Sequence, residues 1–247
     1  MPRRGRSVSG TGIYHVMLRG INKQVIYKDD EDNEKMLQTL LKVKTVSACK
    51  IFAYCLMMNH CHIAIKVEDE GLGQIFKRLG SRYVYWYNTK YNRIGHLFQD
   101  RYKSESIEND RHLLAVIRYI HQNPLKAGIV KDLSDYPWSS HNEYIRYPKI
   151  VDTEYIYSIM DKNDFKNFCM QESVEKALED EQKQIRISDT EAKKRINEIC
   201  GSSNTSEIQQ QDSSEKRLHL RKLKEAGMSI RQINRLTGIS KSIVERA

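Results

Sequence analysis

Two strand-like runs, "KIFAYCLMM" and "HCHIAIKV", lie between residues 50 and 67 with only Asn59 separating them. Extended segments joined by so little chain must fold back on each other, so they form an antiparallel hairpin. The hairpin fixes the centre of a longer order. Before it, "TGIYHVMLRG" reads as a strand and residues 30–47 as a helix, with Met36, Leu37, Leu40, Leu41 and Val43 largely to one side. After it come a helix from about Gly71 to Lys90, a strand around "HLFQDRYKSES" and a helix from about Asn109 to Gln122. The order β-α-β-β-α-β followed by a further helix is a split βαβ. It predicts an α+β fold, ferredoxin-like or RRM-like, in which helices cover one face of an antiparallel sheet and leave the other for a site.

Downstream of Pro124 the texture changes. "KAGIVKDLSDYPWSSHNEYI" reads as a loop-rich return over the first domain with Trp138 as a packing anchor. Residues 153–184 are helical in composition but weakly patterned, and "CGSSNTSEIQQQDSSEK" has the small polar residues of a linker. The expected division is a domain over 1–148, a helical extension or linker over 149–187, and a small all-α domain over 188–247. At the end, "MSIRQINRLTGISKSIVERA" carries Ser229 and Gln232 spaced as a capping box, with Ile230, Ile233 and Leu236 on one short helix. Gly238 permits a tight turn, Ile239 packs inward, and Ser240 caps a second helix containing Ile243 and Val244. This is a helix-turn-helix pattern supported by the basic helix "EKRLHLRKLKEAG". Lys241, Ser242 and Glu245 project away from Ile243 and Val244, where a DNA-reading helix presents side chains to bases.

Composition narrows the class of partner. The 247 residues are 30% charged, and no apolar run could span a bilayer. The N-terminal "MPRRGRSVSG" lacks the apolar stretch of a secretory signal, so a cytoplasmic protein with no membrane role is expected. Cys49, Cys55, Cys61, Cys169 and Cys200 are odd in number and form no C-x-x-C pair. That argues against a disulfide framework or a cysteine zinc site and for reduced packing thiols. A net charge of +9 favours a polyanionic partner, nucleic acid first, although a basic surface also serves solubility.

Three stretches carry potential chemistry. In a strand, alternate side chains share a face, so His60 and His62 point one way and Cys61, Ile63 and Ile65 the other. Two imidazoles on one face make half a metal site; the same pattern also suits one hydrogen-bonded core histidine beside an exposed one. In "NDRHLLAVIRYIHQNPLKAG", Leu113, Leu114, Ile117 and Ile120 form an apolar sector with His112, Tyr119 and Asn123 on its flank. Pro124 disfavours helical geometry at the preceding residue, which puts Asn123 at the helix end with its amide free to leave the surface. In "LGSRYVYWYNTKYNR", Tyr83, Tyr87 and Tyr91 recur every four residues beside Arg82, Lys90 and Arg93. Rings that stack bases and cations that track phosphates would line a single-strand groove; an aromatic core stripe has the same spacing. Arg3, Arg4 and Arg6 are a DNA clamp or a basic tail.

"NHCHI", followed about sixty residues later by "RYIHQNPLKAGIV" and then "YPWSS", resembles the single-tyrosine HUH transposases of the insertion-sequence-200-like family. The REP-associated tyrosine transposase branch is most similar, through "YHVMLRGINKQ" and "GHLFQDRYKS" as well, over roughly residues 3–144. The resemblance implies that His60 and His62 bind Mg²⁺ or Mn²⁺, with the Asn123 side-chain oxygen as third ligand. Imidazole plus amide oxygen suits Mn²⁺, or Mg²⁺ that keeps several waters. Tyr119 would be the nucleophile; a phenol of pKa about 10 attacks poorly but leaves well. The implied substrate is single-stranded DNA with hairpin or palindromic ends, nicked and rejoined through a 5′-phosphotyrosine; the REP-associated branch implies a monomer, whereas related transposases include dimers. Arg19 and Asn22, in "RGINKQ", are implied DNA contacts. A replication-initiator or relaxase-like nickase would share this chemistry, and a domesticated DNA-binding regulator would lack it.

Overall fold

A computed structural model describes residues 8–171, 189–201, 209 and 212–246. The chain divides into two compact units, Met1–Leu178 and Glu179–Ala247. In the first, strands β1 (Ile13–Arg19), β2 (Lys50–Met57), β3 (His60–Lys66) and β4 (Lys103–Ile107) alternate with helices α1 (Asp30–Ser47), α2 (Leu72–Lys90) and α3 (Asp110–Lys126). The sheet order is β2-β3-β1-β4, with every neighbouring pair antiparallel. This is the ferredoxin-like α+β arrangement expected from the split βαβ order.

The two faces of the sheet have different covers. Cys61 meets the buried Tyr27, whose ring lies 5.9 Å from Tyr83 of α2, so the Cys61 face looks toward α2. On the other face Tyr119 of α3 packs its ring 5.6 Å from His62 and 5.8 Å from His15. Local chemistry sets the helix starts. Asp29 Oδ1 accepts from Asp32 N at 3.1 Å in a reciprocal capping box at α1, and Asn109 Oδ1 accepts from His112 N at 2.8 Å at α3. β4 is shorter than the sequence suggests, because 95–102 is irregular and meets the end of β1 through a Gly20–Phe98 bridge and a bond from Gln99 N to Arg19 O at 2.9 Å.

One further expectation is corrected. α3 does not end at Asn123 but continues through the buried Pro124 to Lys126. Proline removes one N–H and disfavours helix at the residue before it, but here the surrounding core holds the helical path. Beyond α4 (His141–Ile145), the stretch 149–171 holds α5 (Glu154–Ile159) and α6 (Lys162–Met170), whose Ile156, Phe165 and Cys169 belong to the core of the first unit. The return segment before it covers the outer edge of β2, with Trp138 O accepting from Leu56 N and Ser140 N donating to Tyr54 O, both at 2.9 Å.

The second unit has its own core, in which Ala192 and Ile196 of α7 (Asp189–Cys200) meet Leu220 and Leu223 of α8 (Ser213–Glu225). Ile233 of α9 (Ile230–Thr237), Ile239 and Val244 of α10 (Lys241–Arg246) complete it. Ser229 caps α9 by accepting from Gln232 N at 3.2 Å, while the Gln232 amide donates to Asp189. Gly238 makes the left-handed turn between α9 and α10 at φ 72°. Ile243 does not pack inward; it is 47% exposed. No helix among the described residues is long and apolar enough to cross a membrane.

Candidate active site

The register of the central strands assembles the site. Met17 of β1 and Cys55 of β2 flank His62, Arg19 sits directly opposite His60, and Glu105 of β4 sits opposite His15. All of these project from the face over which α3 lies. His60 and His62 are 5.0 Å apart between ring centroids and perpendicular.

Each histidine is oriented by its Nδ1. His60 Nδ1 lies 2.7 Å from Asn59 Oδ1; because that oxygen accepts, Nδ1 carries a proton, and in the neutral ring Nε2 is the lone-pair atom. Asn59 is itself held by the loop after β1: its Nδ2 donates to Lys23 O at 3.2 Å, and its carbonyl accepts from Gly20 N at 2.9 Å. Only glycine fits at position 20, since a Cβ there would strike the Gln24 carbonyl. Asn22 and Lys23 complete the loop in left-handed geometry at φ 52° and 59°.

His62 Nδ1 lies 2.9 Å from His15 Nε2, and His15 Nδ1 lies 3.8 Å from Glu105 Oε2. A carboxylate at one end of the chain favours a proton on His15 Nδ1, so His15 Nε2 accepts from His62 Nδ1–H. His62 Nε2 thereby becomes a lone-pair donor like that of His60, and both atoms are buried. A second imidazole, His112 of α3, approaches Glu105 Oε1 at 3.8 Å. Contact with His15 is the main reason the Glu105 carboxyl is held below its usual pKa. Two neutral imidazoles whose second nitrogens are engaged by neighbours form a donor pair that fits a divalent ion.

Tyr119 is 7% exposed, and Lys126 Nζ lies 5.1 Å from its ring centroid, two turns further along α3. Asn123 also lies on this face, but its amide does not leave the helix: Nδ2 donates to Tyr119 O at 3.0 Å, which leaves Oδ1 outside that bond. The i, i+4 spacing that stacks the two residues also lets the amide bond back onto the preceding turn.

Tyr83 and Tyr87 are not base-stacking platforms. They are 0% and 1% exposed, their hydroxyls donate to Ile26 O at 2.7 Å and Val25 O at 3.1 Å, and their rings pack with Tyr27, Trp86, Phe98 and Tyr91. The stripe is core, as its spacing equally allowed. Arg82 is exposed, and Tyr85, 77% exposed, is the tyrosine of α2 that faces solvent. Arg19 is half-buried and Asn22 exposed; Lys241, Ser242 and Glu245 are exposed on α10. Arg3, Arg4 and Arg6 lie outside the described residues. His15, Glu105 and Lys126 are the members that sequence reading missed. Lys126 carried a signal, being seven residues beyond Tyr119 on one helix face.

Residues 9–123 match the family model described as "Transposase IS200 like". A curated relative, the REP-associated tyrosine transposase of Escherichia coli K12, is 24% identical over 144 residues, covering 56% of this chain and 82% of the relative. A solved structure of a REP-associated tyrosine transposase bound to a REP hairpin superposes with a TM-score of 0.51 at 19% identity, covering 59% of this chain and 86% of that one. The likeness to the solved structure is one of fold.

Proposed function

We propose, from the match of residues 9–123 to the family model described as "Transposase IS200 like", that this chain nicks and rejoins single-stranded DNA with Tyr119 as nucleophile and a divalent ion, Mg²⁺ or Mn²⁺, held by His60, His62 and the Asn123 side-chain oxygen. The observation that carries the reading is the convergence of two imidazoles with engaged Nδ1 atoms and a tyrosine ring 5.6 Å away on one sheet face. When bound, such an ion would polarise a phosphodiester oxygen and offset the charge that develops there.

The protein's own residues supply the rest. Tyr119, held by α3 against His15 and His62, presents a hydroxyl whose oxygen attacks phosphorus while the bond to the 3′-oxygen breaks. The phenolic proton is lost, the leaving 3′-oxygen gains one, and the phosphate remains on Tyr119 as a 5′-phosphotyrosine diester. Rejoining reverses the step without an outside energy source. Lys126 beside the ring, and Arg19 opposite His60, would meet phosphate charge. Hairpin DNA is the substrate we extend to this chain from the relative solved with a REP hairpin, and a monomer acting in cis is the form we expect.

A labelled single-stranded oligonucleotide containing a hairpin and flanks, incubated with Mn²⁺, tests the reading. The wild type should yield a covalent adduct that survives denaturing electrophoresis, and Tyr119→Phe should yield none while still binding DNA. An adduct with the phenylalanine variant would remove Tyr119 from the role.

A further inference from the structure

On α3, the residue two places beyond Tyr119 turns away from the HUH face and into a second cluster. His121, His141 of α4 and Cys169 of α6 each offer a ligand atom, and these atoms lie within 4.8 Å of one another. The residues are 1%, 4% and 0% exposed. His121 Nδ1 and Cys169 Sγ are 3.7 Å apart, and the two imidazole centroids are 5.3 Å apart in an edge-to-face arrangement. With metal–nitrogen bonds near 2.0 Å and metal–sulfur bonds near 2.3 Å, a tetrahedral N–S edge is roughly 3.5 Å, so that pair is already spaced as zinc ligands are.

We propose that His121, His141 and Cys169 form a structural zinc site that fastens the nucleophile-bearing helix to the C-terminal part of the first unit. A cation-free core accounts for only part of the arrangement. The thiol can donate to His121 Nδ1, and His121 Nε2 can donate to Ser140 Oγ at 2.9 Å. His141 Nδ1, however, is buried with no hydrogen-bond partner among the described residues, which an apolar core does not tolerate cheaply.

Burial pushes the Cys169 thiol up to about 12. Zinc binding therefore expels one proton: Zn²⁺ replaces hydrogen on Sγ, the proton goes to solvent, and the sulfur becomes a thiolate ligand. Three protein ligands leave one position for water. The absence of C-x-x-C pairs concealed the site, because its ligands come from three helices and are brought together only by the fold.

The same contact surface is tied by protein bonds. Gln122 Nε2 donates to Cys169 O at 2.8 Å and to Gln171 O at 2.6 Å, so the C-terminal end of α6 already rests on α3. A cation there would act on helix placement and not on phosphate, and the inference stands apart from the strand-transfer reading.

Full-length protein stripped of metal and titrated with Co²⁺ tests it. Wild type should take up one equivalent with a near-ultraviolet thiolate-to-cobalt band, and Zn²⁺ should abolish the band and raise the thermal midpoint. The band should persist in the His60→Ala/His62→Ala double variant and vanish in Cys169→Ala. No band in the wild type would overturn the proposal without recourse to any variant. A band that survives in a folded Cys169→Ala protein would assign the thiolate elsewhere and overturn it equally.

Discussion

His15 does its work through a neighbour. Its Nε2 meets His62 Nδ1 at 2.9 Å and its other nitrogen faces Glu105, so it decides which nitrogen of His62 is a lone-pair donor. Replacing it with alanine should weaken divalent-ion binding by roughly 10- to 100-fold, the usual cost of losing an outer-shell partner. The check is Mn²⁺ affinity by titration together with ¹⁵N shifts of the His62 ring in metal-free protein. Unaltered shifts and affinity in His15→Ala would deny it a positioning role. The pair at 60 and 62 was legible in sequence because a period of two puts alternate residues on one face whatever the strand's neighbours. His15 was not, because its contact spans 47 residues and exists only once β1 has paired with β3. Which of their two readings Tyr83 and Tyr87 take was not legible for a related reason: a four-residue aromatic period describes a helix face but not what covers it.

Between elements, the junction of α1 and α2 depends on one lysine. Lys90 Nζ contacts Asp29 at 2.7 Å, Glu31 at 2.8 Å and Asp32 at 3.0 Å, and Asp32 is fully buried. Removing the cation leaves that carboxylate with its neutral donors, Tyr91 Oη at 2.8 Å, Lys28 N at 2.7 Å and Asp29 N at 3.4 Å. Lys90→Met should therefore destabilise the first unit by about 2 kcal/mol, read from chemical denaturation, even though methionine keeps most of the stem's packing. A change within measurement error would mean the neutral donors suffice. At this scale the order of strands and of α1 to α3 was readable, since hydrophobic period and hairpin spacing are local. The continuation of α3 past Pro124 was not, because the core overrides the proline's preference. Nor were α5 and α6, which are short helices with one buried residue, Ile156, and two, Phe165 and Cys169, too few to set a period.

At the scale of the whole molecule, two cores let the proposed cutting and a proposed DNA-reading role be tested apart. Removing 189–247 should leave cutting of a minimal oligonucleotide at high concentration intact, because the proposed catalytic groups lie in the first unit. Affinity for longer flanked DNA should fall. The lost phosphate contacts, about two to four, should flatten the dependence of log affinity on log salt by roughly 0.7 to 0.9 for each. Some cations of this unit are already engaged, Arg221 with Glu225 at 3.2 Å and Arg235 with Asp189, which keeps the expected number low. Equal slopes and affinities for full-length and shortened protein on flanked DNA would make the second unit something other than a DNA reader. If the second unit reads DNA, the exposed Ile243 beside Lys241 and Ser242 would supply an apolar contact of the kind that meets a thymine methyl. The segment that returns over β2 has a consequence for how copies of the chain behave when crowded. Besides Trp138 and Ser140, Tyr136 Oη donates to Leu56 O at 2.6 Å, and Asp152 exchanges bonds with Ile51 at 2.7 and 2.8 Å. Backbone groups that would otherwise template a foreign strand are thus occupied by the chain's own hem, so loosening 136–152 would turn a sheltered margin into a seed for self-association.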